Sequence, residues 1–231
     1  MNLLTNTLYI VSTPIGNLDD ITIRAIEILK KSDIILCEDT RRSLTLLNHL
    51  KIKKKLIAYH KFNEKKSLST IIKYLNEGKI LSLVSDAGTP LISDPGNILI
   101  NECIKNGHNI FTIPGPSSVV AAVSLSGFDD EFIFQGFLPK KDKQTIECLK
   151  NLKDADYSLV FFAPANKVNT YITYFKKYFS GRKIFIAREM TKKHESYYRD
   201  DVDKIKPFKI DLKGELTIVV SKKLKKNKIL L

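Results

Sequence analysis

An α/β fold in two domains is what this sequence predicts, and three observations carry the prediction. Short apolar runs, such as residues 8–11 (LYIV), 34–37 (IILC) and 79–84 (KILSLV), alternate with longer segments of helical spacing. Strand, loop, helix and strand succeed one another regularly as far as Phe128, the pattern of a mostly parallel sheet with helices on both faces. Glycines, prolines and clustered polar residues fall directly after the apolar runs, where parallel sheets present their ligand-binding loops.

In chain order, residues 8–11 read as the first strand, followed by the loop STPIGNLDD (12–20). Residues 21–31 carry Ile23, Ile26, Ile28 and Leu29 at near-helical spacing, and 34–37 form a second strand. A helix over 43–50, a strand at 55–59, a helix over 63–76 and the KILSLV strand come next. After the loop at 85–96, residues 97–106 read as a helix and 109–113 as a fifth strand. A helix over 119–125 has a serine ahead of it as a side-chain cap. The polar break at 127–131 (GFDDE) is the expected boundary between a first domain, 1–127, and a second, 128–231. Beyond it, strands are expected at 132–135, 157–162, 183–187 and 216–220, with helices over 141–153 and 166–178. The second sheet should be mixed. The lysine-rich run 222–228 reads as a solvated end, with RNA contact as the lesser alternative.

A chain of 231 residues can bury a sizeable core, and its 43% hydrophobic and 27% charged content is ordinary for a globular protein. No apolar stretch reaches the roughly 18–20 residues a bilayer span needs, and a cytoplasmic location is the expectation. Cys37, Cys103 and Cys148 are widely spaced, and the four histidines are scattered, so neither a disulfide frame nor a metal is indicated. The net charge of +13 suits a polyanion such as RNA, or reflects lysine-biased composition. The six arginines are the more informative cations, because a planar fork matches phosphate and carboxylate.

Residues 85–96 (SDAGTPLISDPG) are the densest motif. Two prolines and two glycines make a stiff loop able to lie against a ligand, and Asp86 and Asp94 add carboxylates. Two ordinary consecutive turns would have the same composition. No G-x-G-x-x-G or G-x-x-x-x-G-K-[ST] follows the first strand, which disfavours a usual dinucleotide or P-loop site. No G-x-S-x-G elbow occurs either; Ser117 after PGP fits a helix cap lining a ligand better than a nucleophile. Glu38-Asp39-Thr40-Arg41-Arg42 and Tyr59-His60-Lys61-Phe62-Asn63-Glu64 end two further strands with similar polar density, and three adjacent strand ends carrying such groups point to a shared cleft. Arg188-Glu189-Met190-Thr191-Lys192 follows a later strand and reads equally well as an ion-paired turn.

Taken together, LYIVSTPIGNLDDITIRA, CEDTR, SDAGTPLISDPG, IPGPSS, GFLP and AREMTK resemble the ribosomal RNA cytidine 2′-O-methyltransferase branch of the tetrapyrrole methylase superfamily, from about residue 8 to residue 220. The resemblance implies two α/β domains, usually in a homodimer, with S-adenosylmethionine held between them. It implies methylation of one cytidine ribose in small-subunit (16S) ribosomal RNA near the decoding centre, with RNA or the small subunit as partner and neither DNA nor membrane. Carried over by position, cofactor contacts fall on Asp86, Ala87, Gly88, Thr89, Ser117 and Ser118. In the second domain they fall on Phe162 and Ala163, next to Phe161, and on Leu216 and Thr217.

A ribose 2′-hydroxyl is a poor nucleophile, so an acceptor for its proton is expected. The candidates are Glu38, Asp39, His60, Glu64, Asp94 and Glu189, with Asp39 and Glu64 favoured. Arg41, Arg42, Arg188 and Lys192 are the candidates for RNA contact. Two departures from the family pattern are visible. Ala163, Asn166 and Lys167 stand where relatives commonly carry Glu, His and Arg, and the chain stops soon after the last expected strand. The competing readings are a superfamily enzyme acting on a tetrapyrrole or a translation factor, and a non-catalytic RNA-binding relative.

Overall fold

The computed structural model describes residues 5–209 and 213–223. The chain forms two compact units, one ending at Ser117 and the other beginning at Ser118.

In the first unit, β1 (Thr7–Val11), β2 (Ile34–Cys37), β3 (Lys55–Ala58), β4 (Ile80–Val84) and β5 (Asn109–Ile113) alternate with α1 (Ile23–Lys31), α2 (Thr40–His49), α3 (Glu64–Asn76) and α4 (Asn97–Lys105). The sheet order is β3-β2-β4-β1-β5 and each neighbouring pair is parallel. The alternation of β1 shows why both faces need helices. Leu8 and Ile10 join Ile71, Leu75, Leu99 and Cys103 of α3 and α4 in one buried cluster. Tyr9 and Val11 join Ala25, Ile28, Leu29 and Leu47 of α1 and α2 in the other. Each such aliphatic side chain contributes about 1.5–3 kcal/mol by leaving water, which holds the three layers together. Thr22 and Asp39 cap α1 and α2 with their side chains, fixing where those helices begin.

The second unit comprises α5 (Ser118–Ser126), β6 (Phe132–Phe137), α6 (Asp142–Leu152), β7 (Ser158–Pro164), α7 (Val168–Tyr178), β8 (Lys183–Arg188), β9 (Ser196–Asp201) and β10 (Glu215–Val220). Its sheet, in the order β6-β7-β10-β8-β9, is mixed: β6 pairs parallel with β7, and the other pairs are antiparallel. Leu159, Phe161 and Ala163 of β7 and Leu216, Ile218 and Val220 of β10 pack with Leu149 of α6 and with Val168, Ile172 and Phe175 of α7. Helix α5 instead packs on β8 and β10. The division between units therefore falls ahead of the polar break at 127–131.

Strand β9 has no counterpart among the sequence expectations. Its residues, SYYRDD, are all at least partly exposed at the sheet edge, so the strand shows no buried alternation. Packing against β8 defines it: Tyr197 stacks on Phe185 and the Arg199 guanidinium lies over the same ring. In the lysine-rich run, Lys222 pairs with Asp129 at 2.7 Å and Lys223 with Asp154 at 3.3 Å. Residues 224–228 lie outside the described residues.

Candidate functional site

Five loops leave the carboxyl edge of the first sheet, and hydrogen bonds tie several of them into one frame. Thr13 after β1 and Gly88 after β4 exchange both backbone bonds, at 2.9 and 3.0 Å. Thr13 Oγ1 donates to the Ser85 carbonyl, and the Ser12 and Thr89 hydroxyls lie 3.0 Å apart. Thr89 Oγ1 also donates to the Pro116 carbonyl at 3.3 Å, bringing in the loop after β5. Gly115 permits this closeness, because a Cβ there would stand 3.0 Å from Ser12 Cβ. Ala87, Gly88 and Thr89 are thus held by their surroundings rather than left as free turns. Ser117 and Ser118, both half-buried, follow directly.

The acidic residues group by neighbouring strands. Asp86 Oδ1 accepts the Asp39 backbone N–H at 3.0 Å, and Asp86 Oδ2 lies 3.4 Å from Arg42 Nε. Asp39 accepts from the Arg41 N–H and, through both oxygens, from the Arg41 guanidinium. Those hydrogen bonds hold its carboxyl at about pKa 2. Glu38 behaves oppositely. Burial, and then the Asp86 charge, raise its pKa above the ordinary glutamate value. Three carboxylates, Glu38, Asp39 and Asp86, therefore meet at the ends of β2 and β4 with Arg41 and Arg42 beside them.

Glu64, in the first turn of α3, has a different task. Its Oε1 accepts the Tyr59 hydroxyl at 3.0 Å and the Gly96 N–H at 2.9 Å. It thereby joins the end of β3 to the far end of the 85–96 loop. Gly96 sits at φ +142°, and a Cβ there would stand 2.8 Å from Leu91 Cγ. Nothing in the sequence around Glu64 signals this link, because Gly96 lies 32 residues away.

In the second unit, the Arg188–Lys192 segment is an ion-paired turn. Lys192 Nζ bridges Glu189 and Glu215 at 3.0 Å each, and Glu189 Oε1 accepts the Glu215 N–H. Burial opposes the Glu189 charge, but the Glu215 N–H and Lys192 outweigh it and keep its pKa below the usual value. Arg188 donates to the Lys213 and His194 carbonyls. Phe162 and Thr217 pair in register, as do Ala163 and Leu216. Ala163 and Leu216 point into the core under α6 and α7, whereas Phe162 meets the rings of Phe134 and Phe137. Of the residues departing from the family pattern, Ala163 is core while Asn166 and Lys167 are exposed.

A parallel sheet whose loops converge on a carboxylate cluster, followed by a mixed sheet, defines a class. The family model for tetrapyrrole (corrin/porphyrin) methylases matches residues 7–206, and the chain belongs to that family. Its members are S-adenosylmethionine-dependent methyltransferases. Within it, the chain is 44% identical to the ribosomal RNA small subunit methyltransferase I of Thermotoga maritima over 224 residues, covering 94% of this chain and 98% of that protein. It is 46% identical to the protein of the same name from Mesomycoplasma conjunctivae, covering 97% of each. Among solved structures, diphthine synthase matches with a TM-score of 0.73 at 13% identity, over 93% of this chain and 89% of that one. The methyltransferase CobJ matches with a TM-score of 0.70 at 16% identity, over 93% of each chain. These two likenesses show the fold alone. No helix among the described residues is long and apolar enough to cross a membrane.

Proposed function

We propose that the chain transfers a methyl group from S-adenosylmethionine to the ribose 2′-hydroxyl of a cytidine in small-subunit ribosomal RNA, near the decoding centre. The near full-length identity to ribosomal RNA methyltransferases, together with the carboxylate cluster at the 85–96 loop, carries this reading.

The residues present fit the cofactor. Asp86 holds one oxygen on the Asp39 N–H and the other 3.4 Å from Arg42, and the carboxylates grouped there give a sulfonium or ammonium cation a negative surrounding. The backbone of 87–89 supplies polar groups held in a fixed frame, and Ser117 and Ser118 add hydroxyls. When bound, S-adenosylmethionine supplies an electrophilic methyl group. Asp86, Ala87, Gly88, Thr89, Ser117 and Ser118 then serve to bind and orient it. In the second unit, the side chains of Ala163 and Leu216 are in the core, which leaves Phe162 and Thr217 as that unit's candidates for side-chain contact with a ligand.

Removal of the hydroxyl proton falls to Glu38. Its raised pKa makes it the stronger base, whereas Asp39 is held at about 2 and Glu64 Oε1 already accepts two donors. Arg41 and Arg42 hold RNA phosphate, while Arg188, Glu189 and Lys192 brace β8 against β10. In this reading the working enzyme is a cytoplasmic homodimer, and it rejects DNA because DNA lacks the 2′-hydroxyl.

The test is incubation with radiolabelled S-adenosylmethionine and small subunits lacking the modification. Label is expected in 16S RNA and absent from DNA of the same sequence. Label in a tetrapyrrole or in protein, with none in RNA, would overturn the reading.

A further inference from the structure

Phe62 is 90% exposed, more than any other large hydrophobic side chain among the described residues. Nothing in the fold requires a phenylalanine there, since the side chain belongs to none of the hydrophobic clusters. Yet the turn that carries it is firmly built. Asn63 Oδ1 accepts the His60 N–H at 2.8 Å, and Asn63 Nδ2 donates to the Ala58 carbonyl at 2.8 Å. The Asn63 and Glu64 N–H groups both donate to the His60 carbonyl. A tip pinned at its base leaves little backbone freedom to lose on binding.

The surroundings favour RNA. Tyr59 N–H donates to the Cys37 carbonyl at 2.8 Å, so the β3 turn runs beside Glu38, and His60 is close enough to pull the Glu38 pKa down. The His60 ring stands edge-on to Phe62 at 6.1 Å, and Lys61 Nζ lies 6.0 Å from the Phe62 centroid. Lys65 and Lys66 follow, both exposed. An exposed ring among lysines, one strand away from the acceptor, matches how proteins take unpaired bases: by stacking, with cations on the backbone phosphates.

We propose that Phe62 is the platform on which an unpaired nucleobase of the RNA substrate stacks, with Lys61 holding an adjacent phosphate. This rests on the functional reading above. The ring fixes the nucleotide so that its ribose reaches Glu38, and its contribution is to substrate affinity rather than to the methyl donor.

The experiment compares wild type with Phe62→Ala, Phe62→Leu and Phe62→Trp. Alanine and leucine should raise KM for small subunits about 5- to 100-fold, the range of one lost base stack, and leave affinity for S-adenosylmethionine unchanged. Tryptophan should restore KM. Because the chain has no tryptophan, that variant also reports directly: its emission should be quenched when a short single-stranded oligoribonucleotide binds. An unchanged KM in Phe62→Leu, or unquenched emission with RNA bound, would overturn the proposal. So would loss of self-association in Phe62→Ala, which would make the ring a contact between copies of the chain. Failure of the wild type to methylate RNA, with quenching intact, would refute the functional reading while supporting the stacking role.

Discussion

The Asp86 carboxylate accepts the backbone N–H of Asp39 at 3.0 Å, so the loop after β4 is anchored to the cap of α2. One side chain thus sets the spacing between the 85–96 loop and the acids at the end of β2.

Removing that anchor should weaken cofactor binding. Hydrogen bonds to charged groups contribute about 1.5–3 kcal/mol, so Asp86→Ala should raise the dissociation constant for S-adenosylmethionine about 10- to 100-fold by calorimetry. Asp86→Asn keeps an acceptor for Asp39 but loses the charge facing Arg42, and should fall between.

Glu38 predicts a pH profile. Because burial and Asp86 raise its pKa, the deprotonated base should accumulate only above the ordinary glutamate value of 4.5. kcat/KM, which reports the free enzyme, should rise with pH along a limb displaced upward from that value. Asp86→Asn should move the limb down, and Glu38→Gln should remove it with a loss of about 10²- to 10⁴-fold in kcat. An unshifted limb in Asp86→Asn would separate the two residues.

Glu64 should act by position. Glu64→Gln retains an oxygen for Tyr59 and Gly96 and should keep transfer within a few-fold of wild type. Glu64→Ala strands the fully buried Tyr59 side chain and frees Gly96, costing about 1–3 kcal/mol of stability in urea denaturation and raising KM for the cofactor. Abolition of kcat by Gln alone, with cofactor binding intact, would make Glu64 the base instead.

Gly96→Ala should destabilise by about 1–3 kcal/mol through its positive φ and the contact with Leu91. The urea midpoint should fall with the slope unchanged.

Most of this architecture is legible in the sequence because the central strands of the first sheet, β1, β2 and β4, are buried on both faces. Its strands read as apolar runs, and the helices between them show their buried stripes. The parallel pairing and the polar loops after the strands follow from that alternation. β9 was hidden because an edge strand is selected for pairing on one side, not for burial, and Tyr197 and Arg199 resemble loop residues until Phe185 is beneath them. The polar residues of the candidate site are visible in the sequence, but their hydrogen-bond partners are not. Asp39 and Glu64 look like free acids in the sequence. Arg41, two residues on, claims Asp39 in the first turn of α2, and Tyr59 with the distant Gly96 claims Glu64, leaving Glu38 with the raised pKa. Arg182 shows the same limit: nothing in the sequence sets it apart from the other arginines, yet it is buried, donating to the carbonyls of Lys153, Ala155 and Ser221.

The most direct measurement is nucleoside mass spectrometry of 16S RNA from unmodified small subunits after incubation with the chain and isotopically labelled S-adenosylmethionine. The account predicts one labelled species, 2′-O-methylcytidine, absent when Glu38→Gln replaces the wild type. Label on a base, or no labelled nucleoside although calorimetry shows the cofactor bound, would contradict it.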